Sequence, residues 1–209
     1  ETFVTKGLIY SAKQKGMYCV GCEEFKFEKD LTPDKKCPNH LNRDIEYTEE
    51  DNWFFKLSQF ASQIKTLIET DKVIIQPVQY KKEVLAFIES GVRDFSISRR
   101  NTTWGIPFPN DPEQVLYVWF DALLAYTSRL IDKKINVHVL GKDIIKFHAV
   151  YYLGILLAAK FPLPDKFLVN GFIVKSNDPT EAKMGKSTGA LSLADLEEQN
   201  VSIEALRWF

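Results

Sequence analysis

The stretch Val137-His138-Val139-Leu140-Gly141-Lys142-Asp143 does most to decide the fold of this chain. Its first four residues have the pattern of a short buried strand, and the residues after Asp143 form a helical pattern through Ala159. Two further apolar runs flank this unit, Val115-Leu116-Tyr117-Val118-Trp119-Phe120 before it and Phe167-Leu168-Val169 after it. Continuous apolar runs are typical of parallel strands covered on both faces. The alternation of strands and helices therefore predicts right-handed βαβ units in a Rossmann-like sheet.

The first half of the chain has a different pattern. Apolar side chains recur at helical spacing over about 52–70, and a second helix pattern follows Pro77 and stops at Gly91. The stretch Asp94-Phe95-Ser96-Ile97-Ser98-Arg99 alternates like a strand. We therefore expect an α+β module that ends near Gln114, and an α/β fold overall.

Composition excludes some classes of protein. The 209 residues are 45% apolar and 26% charged, with a net charge of −1, so no overall basic field points to nucleic acid. The longest apolar run, at about 153–159, is too short to cross a bilayer, and the sequence has no signal-peptide pattern. We expect no membrane association and a location in the cytoplasm or an organellar matrix.

All three cysteines lie in two short pairs, Cys19-Val20-Gly21-Cys22 and Cys37-Pro38-Asn39-His40. This C-x2-C-x14-C-x2-H spacing is typical of a tetrahedral Zn²⁺ held by three thiolates and one imidazole. A disulfide would leave one cysteine over and would not fit a cytosolic protein. Unrelated thiols are the remaining alternative. The spacing favours a structural zinc site at Cys19, Cys22, Cys37 and His40.

A second motif, Lys183-Met184-Gly185-Lys186-Ser187, places two lysines three residues apart. Lysine amines in such a loop can neutralise a polyphosphate during phosphoryl-type chemistry. A P-loop is excluded because Thr180 stands where that motif requires glycine. From the loop alone, a solvated basic turn remains an alternative.

Ligands of parallel sheets bind beyond the carboxyl ends of the strands, here at 119–122 and 141–143. Asp121 is the expected N-cap of a helix that contains Tyr126. Asp143 could accept ribose hydroxyls or cap its own helix. His148 shares a helical face with apolar and aromatic residues, and a core histidine is the alternative to a binding role. His138 is expected to be structural.

Taken in order, these motifs resemble those of methionyl-tRNA synthetase, a class I aminoacyl-tRNA synthetase. The lysine motif matches the family's Lys-Met-Ser-Lys-Ser signature, with Gly185 in place of the first serine. The other matching segments are Tyr18-Cys19-Val20-Gly21-Cys22-Glu23-Glu24-Phe25, Glu50-Asp51-Asn52-Trp53-Phe54-Phe55-Lys56-Leu57-Ser58, Ser96-Ile97-Ser98-Arg99, Trp104-Gly105-Ile106-Pro107, Tyr117-Val118-Trp119-Phe120-Asp121-Ala122-Leu123, His138-Val139-Leu140-Gly141-Lys142-Asp143 and Phe147-His148-Ala149.

The resemblance implies a role for each candidate residue. Methionine would be bound by Trp119, Ala122, Tyr126, Ile144, His148 and Tyr152. ATP, with Mg²⁺, would be bound by Gly141, Asp143, Ile173 and Lys186. Lys183 and Lys186 would be catalytic, neutralising pyrophosphate as the methionine carboxylate attacks the α-phosphate. The zinc-bearing half would help to seat the acceptor end of tRNA(Met).

The resemblance also implies a domain organisation. Residues 1–114 would be a connective-peptide insertion with a zinc knuckle at about 17–48. Residues 115–180 would be the second half of the Rossmann-like catalytic domain, and residues 181–209 the lysine-signature loop and the start of a stem-contact segment. The family's His-Ile-Gly-His signature and anticodon-binding domain are absent from this sequence. We therefore expect an internal fragment, catalytically incomplete without the N-terminal half of the catalytic domain.

The sequence departs from the family at four positions. Gly185 replaces a serine, Tyr152 stands where tryptophan is usual, Asn170 where histidine is usual, and Ala190 where asparagine or threonine is expected. A different hypothesis accommodates such changes: a non-catalytic zinc-knuckle module that binds tRNA or a protein partner.

Overall fold

The computed structural model describes residues 2–21, 24–26, 28, 31–38, 44–100, 104–109, 111–128, 135–174, 184 and 192–208. Two compact units are present, Glu1–Val169 and Asn170–Phe209. The strands are β1 Ile9–Cys19, β2 Glu24–Lys26, β3 Glu46–Phe55, β4 Ile74–Gln76, β5 Phe95–Ser96, β6 Ser98–Arg99, β7 Pro107–Phe108, β8 Asp111–Leu116, β9 Val137–Gly141 and β10 Lys166–Asn170. The α-helices are α1 Thr2–Thr5, α2 Ala61–Glu69, α3 Val78–Glu89, α4 Val118–Ala125, α5 Leu153–Ala159, α6 Leu193–Glu198 and α7 Ile203–Trp208. The expected mixed α/β character is confirmed.

An antiparallel sheet in the order β2-β1-β3-β5 forms the first part of the chain. Its long pair, β1 and β3, keeps one register from Ile9 opposite Phe55 to Tyr18 opposite Glu46. Here the predicted helix at about 52–70 is partly wrong, because β3 continues to Phe55 and a 3-10 turn, Leu57–Phe60, precedes α2. The last residues of β3 pair on both sides, with β1 and with β5, and this pairing outweighs the helical spacing of the apolar residues.

The helix predicted after Pro77 is confirmed as α3. Pro77 itself is the N-cap, and its extended backbone leads into the first turn without the need for an N–H group. At the other end Ser90 is the C-cap, and Gly91 follows it with φ +98, the left-handed region that glycine adopts without steric cost. Gly91 therefore ends the helix as the sequence predicts.

The predicted parallel strand over residues 115–120 is wrong. Strand β8 ends at Leu116 and pairs antiparallel with β6 and β7, and helix α4 begins at Val118. A short apolar run does not by itself distinguish a buried strand from a buried helix. In α4 the buried side chains are Phe120 and Leu123, three residues apart on one helical face. Tyr117 is the N-cap, so Asp121 lies in the first turn and the predicted capping role is also wrong.

The parallel sheet is built from β4, β10 and β9, in that order. β9 and β10 are the strands predicted at Val137 and Phe167. β10 pairs parallel with β4, which comes from the first half of the chain, so this half supplies a strand to the sheet. The helix predicted after β9 consists of a 3-10 turn, Lys142–Ile144, a π-helical turn, Phe147–Tyr152, and α5. The proposed division at residue 114 stays a prediction.

The apolar core lies where α2, α3, the π-helical turn and α5 meet the parallel sheet. Its fully buried members come from both halves of the chain and include Phe55, Leu57, Ile64, Ile68, Leu153, Ile155, Leu156 and Phe167. Residues 57–92 therefore pack together with residues 137–169 through one continuous core.

In the second unit, α6 begins at a capping box in which Ser192 and Asp195 each bond the other's backbone N–H. Its helices bury no residue, and Trp208 is 93% exposed. Across the described residues, none of the helices combines the length and apolar character needed to span a membrane.

Gly154 generates a prediction about stability. A Cβ atom at this position would overlap Leu57 Cδ1, and Leu57 is fully buried and cannot move aside. Although alanine favours helix by about 1 kcal/mol over glycine, we expect Gly154→Ala to lower the free energy of unfolding by about 1–3 kcal/mol. Chemical denaturation measures the change. Leu57→Ala should cost less in the Gly154→Ala background than in the wild type, and equal costs in both would contradict the overlap.

Candidate active site

His148 lies in the π-helical turn with both ring nitrogens in contact with a hydrogen-bond partner. Nδ1 is 2.9 Å from the carbonyl oxygen of Ile144, and Nε2 is 3.0 Å from the hydroxyl of Tyr126. Tyr126 is the C-cap of α4, so this contact joins α4 to the turn that follows β9. The structure thereby brings together Tyr126, Ile144 and His148, three residues to which the resemblance gives a role in one pocket.

The two contacts assign the protons of the His148 ring. A carbonyl oxygen can only accept, so Nδ1 carries the proton and donates it to Ile144. Burial lowers the pKa of His148, against the smaller raising effect of the Ile144 carbonyl, so the ring is neutral at pH 7. Nε2 is then an acceptor and the Tyr126 hydroxyl donates to it. The hydroxyl oxygen keeps lone pairs with which to accept from a ligand.

Tyr152 packs against Tyr126, and Trp119 packs against Phe147. The ring of Tyr152 lies edge-on to that of Tyr126 at 5.6 Å, and burial raises the pKa of the Tyr152 hydroxyl to about 12. It is therefore a neutral group at physiological pH. The half-buried indole of Trp119 is stacked on Phe147, the neighbour of His148, at 4.1 Å and 5°. Ala122, on the same helix, is exposed.

His138, which the sequence predicts to be structural, packs against this group. Its ring lies 4.9 Å from Tyr126, 5.4 Å from Tyr152 and 5.9 Å from His148, measured between centroids. Burial, with a smaller effect from His148, lowers the pKa of His138 to about 4. Exposed and buried side chains alternate along β9, and His138 is on the buried face. This alternation is the sequence signal that could have predicted its contact with these rings.

The predicted ribose residues lie at the carboxyl end of β9, as expected. Gly141 is the last residue of the strand, and Asp143 is exposed in the 3-10 turn that follows. A Cβ atom on residue 141 would stand 2.7 Å from Asp143 Oδ1, so any other residue here would require the carboxylate to shift. Glycine at this position leaves room for the carboxylate where it stands.

The predicted adenine and phosphate residues belong to the second unit. Ile173 is 55% exposed, and its carbonyl oxygen accepts a hydrogen bond from the N–H of Met184 at 2.9 Å. This bond ties the Ile173 backbone to the lysine motif. Lys183 and Lys186 themselves, like Gly185 and Ala190, lie outside the described residues.

Of the four predicted zinc ligands, two are described. Cys19 and Cys37 are both fully buried, and neither is part of a disulfide in the described part of the chain. They are also the only buried residues within 19–21, 25–26, 28, 31–38 and 44–45. Cys22 and His40 lie outside the described residues, among which no three His, Cys, Asp or Glu side chains meet as a metal site.

Two cavities lie elsewhere on these elements. One, of about 560 Å³, is lined by Phe147 and Tyr151 together with basic residues that include Arg93 and Arg99. The other, of about 350 Å³, is apolar and is lined by residues that include Phe120 and Leu124 of α4. None of the six predicted methionine residues lines either of these two cavities.

The buried imidazole of His138 makes stability depend on pH. Because the pKa of His138 is about 4 in the folded chain and its ordinary value is 6.5, the unfolded chain binds more protons between these values. We expect this contribution to stability to be complete above pH 6.5 and to be lost as pH falls towards about 4. Thermal unfolding should be measured across this pH range. The melting temperature should fall less steeply with pH in His138→Phe than in Val139→Ala, a control substitution on the exposed face of β9.

Comparisons with known proteins agree with this geometry. A family model described as tRNA synthetases class I (M) matches residues 40–209. The methionine–tRNA ligase of Nostoc sp. (strain PCC 7120) is 46% identical over 197 residues, which cover 88% of this chain and 36% of that protein. The chloroplastic/mitochondrial methionine–tRNA ligase of Arabidopsis thaliana is 39% identical over 97% of this chain and 34% of its own length. The chain thus spans about a third of these relatives.

Solved structures show the same relationship. The methionyl-tRNA synthetase of Mycobacterium tuberculosis, in a crystal structure with methionyl-adenylate bound, superposes with a TM-score of 0.82 at 29% identity. The match covers all of this chain and 43% of that one. With a class I synthetase fold, a family match over most of its length and close relatives of a single specificity, this chain belongs to the methionyl-tRNA synthetase family of class I tRNA synthetases.

Proposed function

We propose that this chain is part of a methionine–tRNA ligase, which activates methionine with ATP to methionyl-adenylate and transfers it to tRNA(Met). The observation that carries the proposal is the contact of Tyr126, Ile144, His148 and Tyr152 around two hydrogen bonds on one imidazole. The resemblance implies that these four residues belong to one pocket, although they come from different elements. Family membership supplies the reaction to which such a pocket belongs.

The amino-acid side chain would lie against the aromatic group. A thioether requires apolar and aromatic surfaces with a few polar groups, and the rings of Trp119, Tyr126 and Tyr152 with Ile144 supply these surfaces. His148 would act indirectly, as the acceptor that fixes the Tyr126 hydroxyl. Exposed Ala122 would form the open rim through which the substrate enters.

ATP would bind at the end of β9, and the resemblance also implies a role in ATP binding for residues of the second unit. Asp143, with Gly141 beneath its carboxylate, would accept the ribose hydroxyls, and the backbone at Ile173 would meet the adenine. Lys183 and Lys186 would neutralise the pyrophosphate as the methionine carboxylate attacks the α-phosphate. Mg²⁺ bound to ATP would supply further charge neutralisation. In the second reaction the activated methionyl group would pass to the acceptor end of tRNA(Met).

A structural zinc ion fits the described part of its site. A thiol buried in a short polar segment gains little from apolar packing, yet both Cys19 and Cys37 are fully buried where their neighbours are not. Three thiolates and one imidazole are a closed ligand set for Zn²⁺, which would hold the segment together without taking part in the reaction. Cys19, Cys22, Cys37 and His40 would be its ligands.

Metal analysis tests the zinc proposal. Protein purified without chelator should contain close to one equivalent of Zn²⁺, with Zn–S distances of about 2.3 Å by X-ray absorption. Cys37→Ser should lose most of the metal and become more sensitive to protease, whereas Lys36→Ser, a change at the adjacent exposed residue, should keep it. A Cys37→Ser protein with its full zinc content would refute the ligand set.

Methionine-dependent exchange between ATP and pyrophosphate tests the reaction. The isolated 209-residue chain should show background exchange, because the α-phosphate and the carboxylate must be held in line by groups from the whole catalytic domain. A protein of the relatives' full length should exchange, and Lys186→Ala should lower its kcat about 100-fold. Lys82→Ala, at an exposed lysine of α3, is the matched control and should leave the rate unchanged.

Two results of the exchange assay would contradict this proposal. A full-length protein that binds tRNA but shows no exchange with methionine would favour the non-catalytic module. Exchange by the isolated chain would show that the remaining residues of the catalytic domain are dispensable.

A further inference from the structure

His138 reaches the amino-acid pocket from the sheet rather than from a helix. Strand β9 alternates, with Val137 and Val139 44% and 67% exposed and with His138 and Leu140 buried. The His138 side chain is 6% exposed and lies among rings of α4, the π-helical turn and β10. It is therefore one point at which the sheet touches the residues of the predicted pocket, as Phe167 of β10 is another.

The rings of His138, Tyr126 and Tyr152 form a closed triangle of edge-to-face contacts. His138 meets Tyr126 at 4.9 Å and 84°, Tyr152 meets Tyr126 at 5.6 Å and 66°, and His138 meets Tyr152 at 5.4 Å and 68°. Edge-to-face geometry is the favoured arrangement for such rings, because the positive edge of one meets the negative face of the other. The Tyr126 ring is thereby held on two sides, and its hydroxyl is left to reach His148.

The hydrogen-bonding capacity of His138 does not explain its presence. Within the described residues Nε2 of His138 is buried and has no partner, a state that costs stability relative to an apolar ring. What the side chain does contribute is a planar ring with an electropositive edge at a defined angle to Tyr126. The contact with Tyr126 is thus the interaction in which His138 can affect the site.

We propose that His138 is a positioning residue of the methionine pocket, which orients the Tyr126 ring so that its hydroxyl donates to His148. This inference rests on the proposed function for the identity of the ligand, but the orientation of Tyr126 is a property of the protein alone. No atom of His138 is required to touch the substrate. Its effect passes through Tyr126 to His148.

The test uses the full-length protein and two variants of His138. His138→Leu has a similar volume but no planar ring, so Tyr126 loses one of its two lateral contacts. We expect the KM for methionine to rise about fivefold to tenfold, with kcat and the KM for ATP within about twofold of wild type. His138→Phe keeps a ring and should restore the KM for methionine to within about twofold. Val139→Ala, on the opposite face of β9, should change none of these constants.

A double-mutant cycle shows whether the effect passes through Tyr126. In a Tyr126→Phe background, which lacks the hydroxyl, His138→Leu should change the KM for methionine by less than about twofold. Independent, additive effects of the two substitutions would overturn the proposal. So would a His138→Leu protein in which kcat and both KM values deteriorate together, because this would show a general structural role.

A spectroscopic measurement separates this proposal from the proposed function. Nitrogen-15 NMR of the imidazoles reports the tautomer of His148 and the hydrogen bond at its Nε2, whether or not the protein activates methionine. We expect the His148 resonances to shift in His138→Leu and to stay close to wild type in His138→Phe. Unchanged resonances in His138→Leu would refute the positioning role. If exchange with methionine fails while the resonances shift as expected, the assigned substrate is wrong and the positioning role stands.

Discussion

The two hydrogen bonds of His148 are the interaction on which the arrangement of the site depends. They connect the end of α4, through Tyr126, with the turn that follows β9, through the Ile144 carbonyl. Because a carbonyl only accepts, one bond fixes the tautomer, and the tautomer then fixes the direction of the other bond. Apolar packing alone would allow α4 and the turn to slide past each other. The two hydrogen bonds of the imidazole fix the position of Tyr126, at the end of α4, relative to the Ile144 carbonyl.

Burial of this ring has a cost that the neighbouring residues offset. His148 is 2% exposed, and a charged imidazole at this depth would be strongly disfavoured, so the ring remains neutral and both nitrogens are satisfied. The residues around it form a π-helical turn, a local widening of the helix that is often found at functional sites. The backbone and the side chains thus depart from ordinary core packing at the same place, which is expected where a surface is shaped for a ligand.

Much of this site was accessible from the sequence, and the exceptions have physical causes. The helical spacing of Ile144, His148 and Tyr152 predicts one shared face, and the structure places the three residues together with Tyr126. The strand predicted at 115–120 was wrong because an apolar run fits a buried helix as well as a strand, and cross-strand pairing ends at Leu116. His138 is expected to be structural from the sequence because a mid-strand histidine carries no local sign of which side chains it will meet. Contacts across elements, such as the triangle of rings, depend on tertiary packing that periodicity does not encode.

The parallel pairing of β4 with β10 places a further constraint on the site. β4 lies between α2 and α3, and these helices share a continuous core with α5 and the π-helical turn. A segment that the resemblance assigns to an insertion therefore also packs behind the turn that carries His148. Substitutions in Ile64, Ile68 or Val84 would alter the packing beneath the turn that carries His148, without touching a ligand. The two halves of the first unit share one apolar core. Core residues from both halves pack around the turn that carries His148.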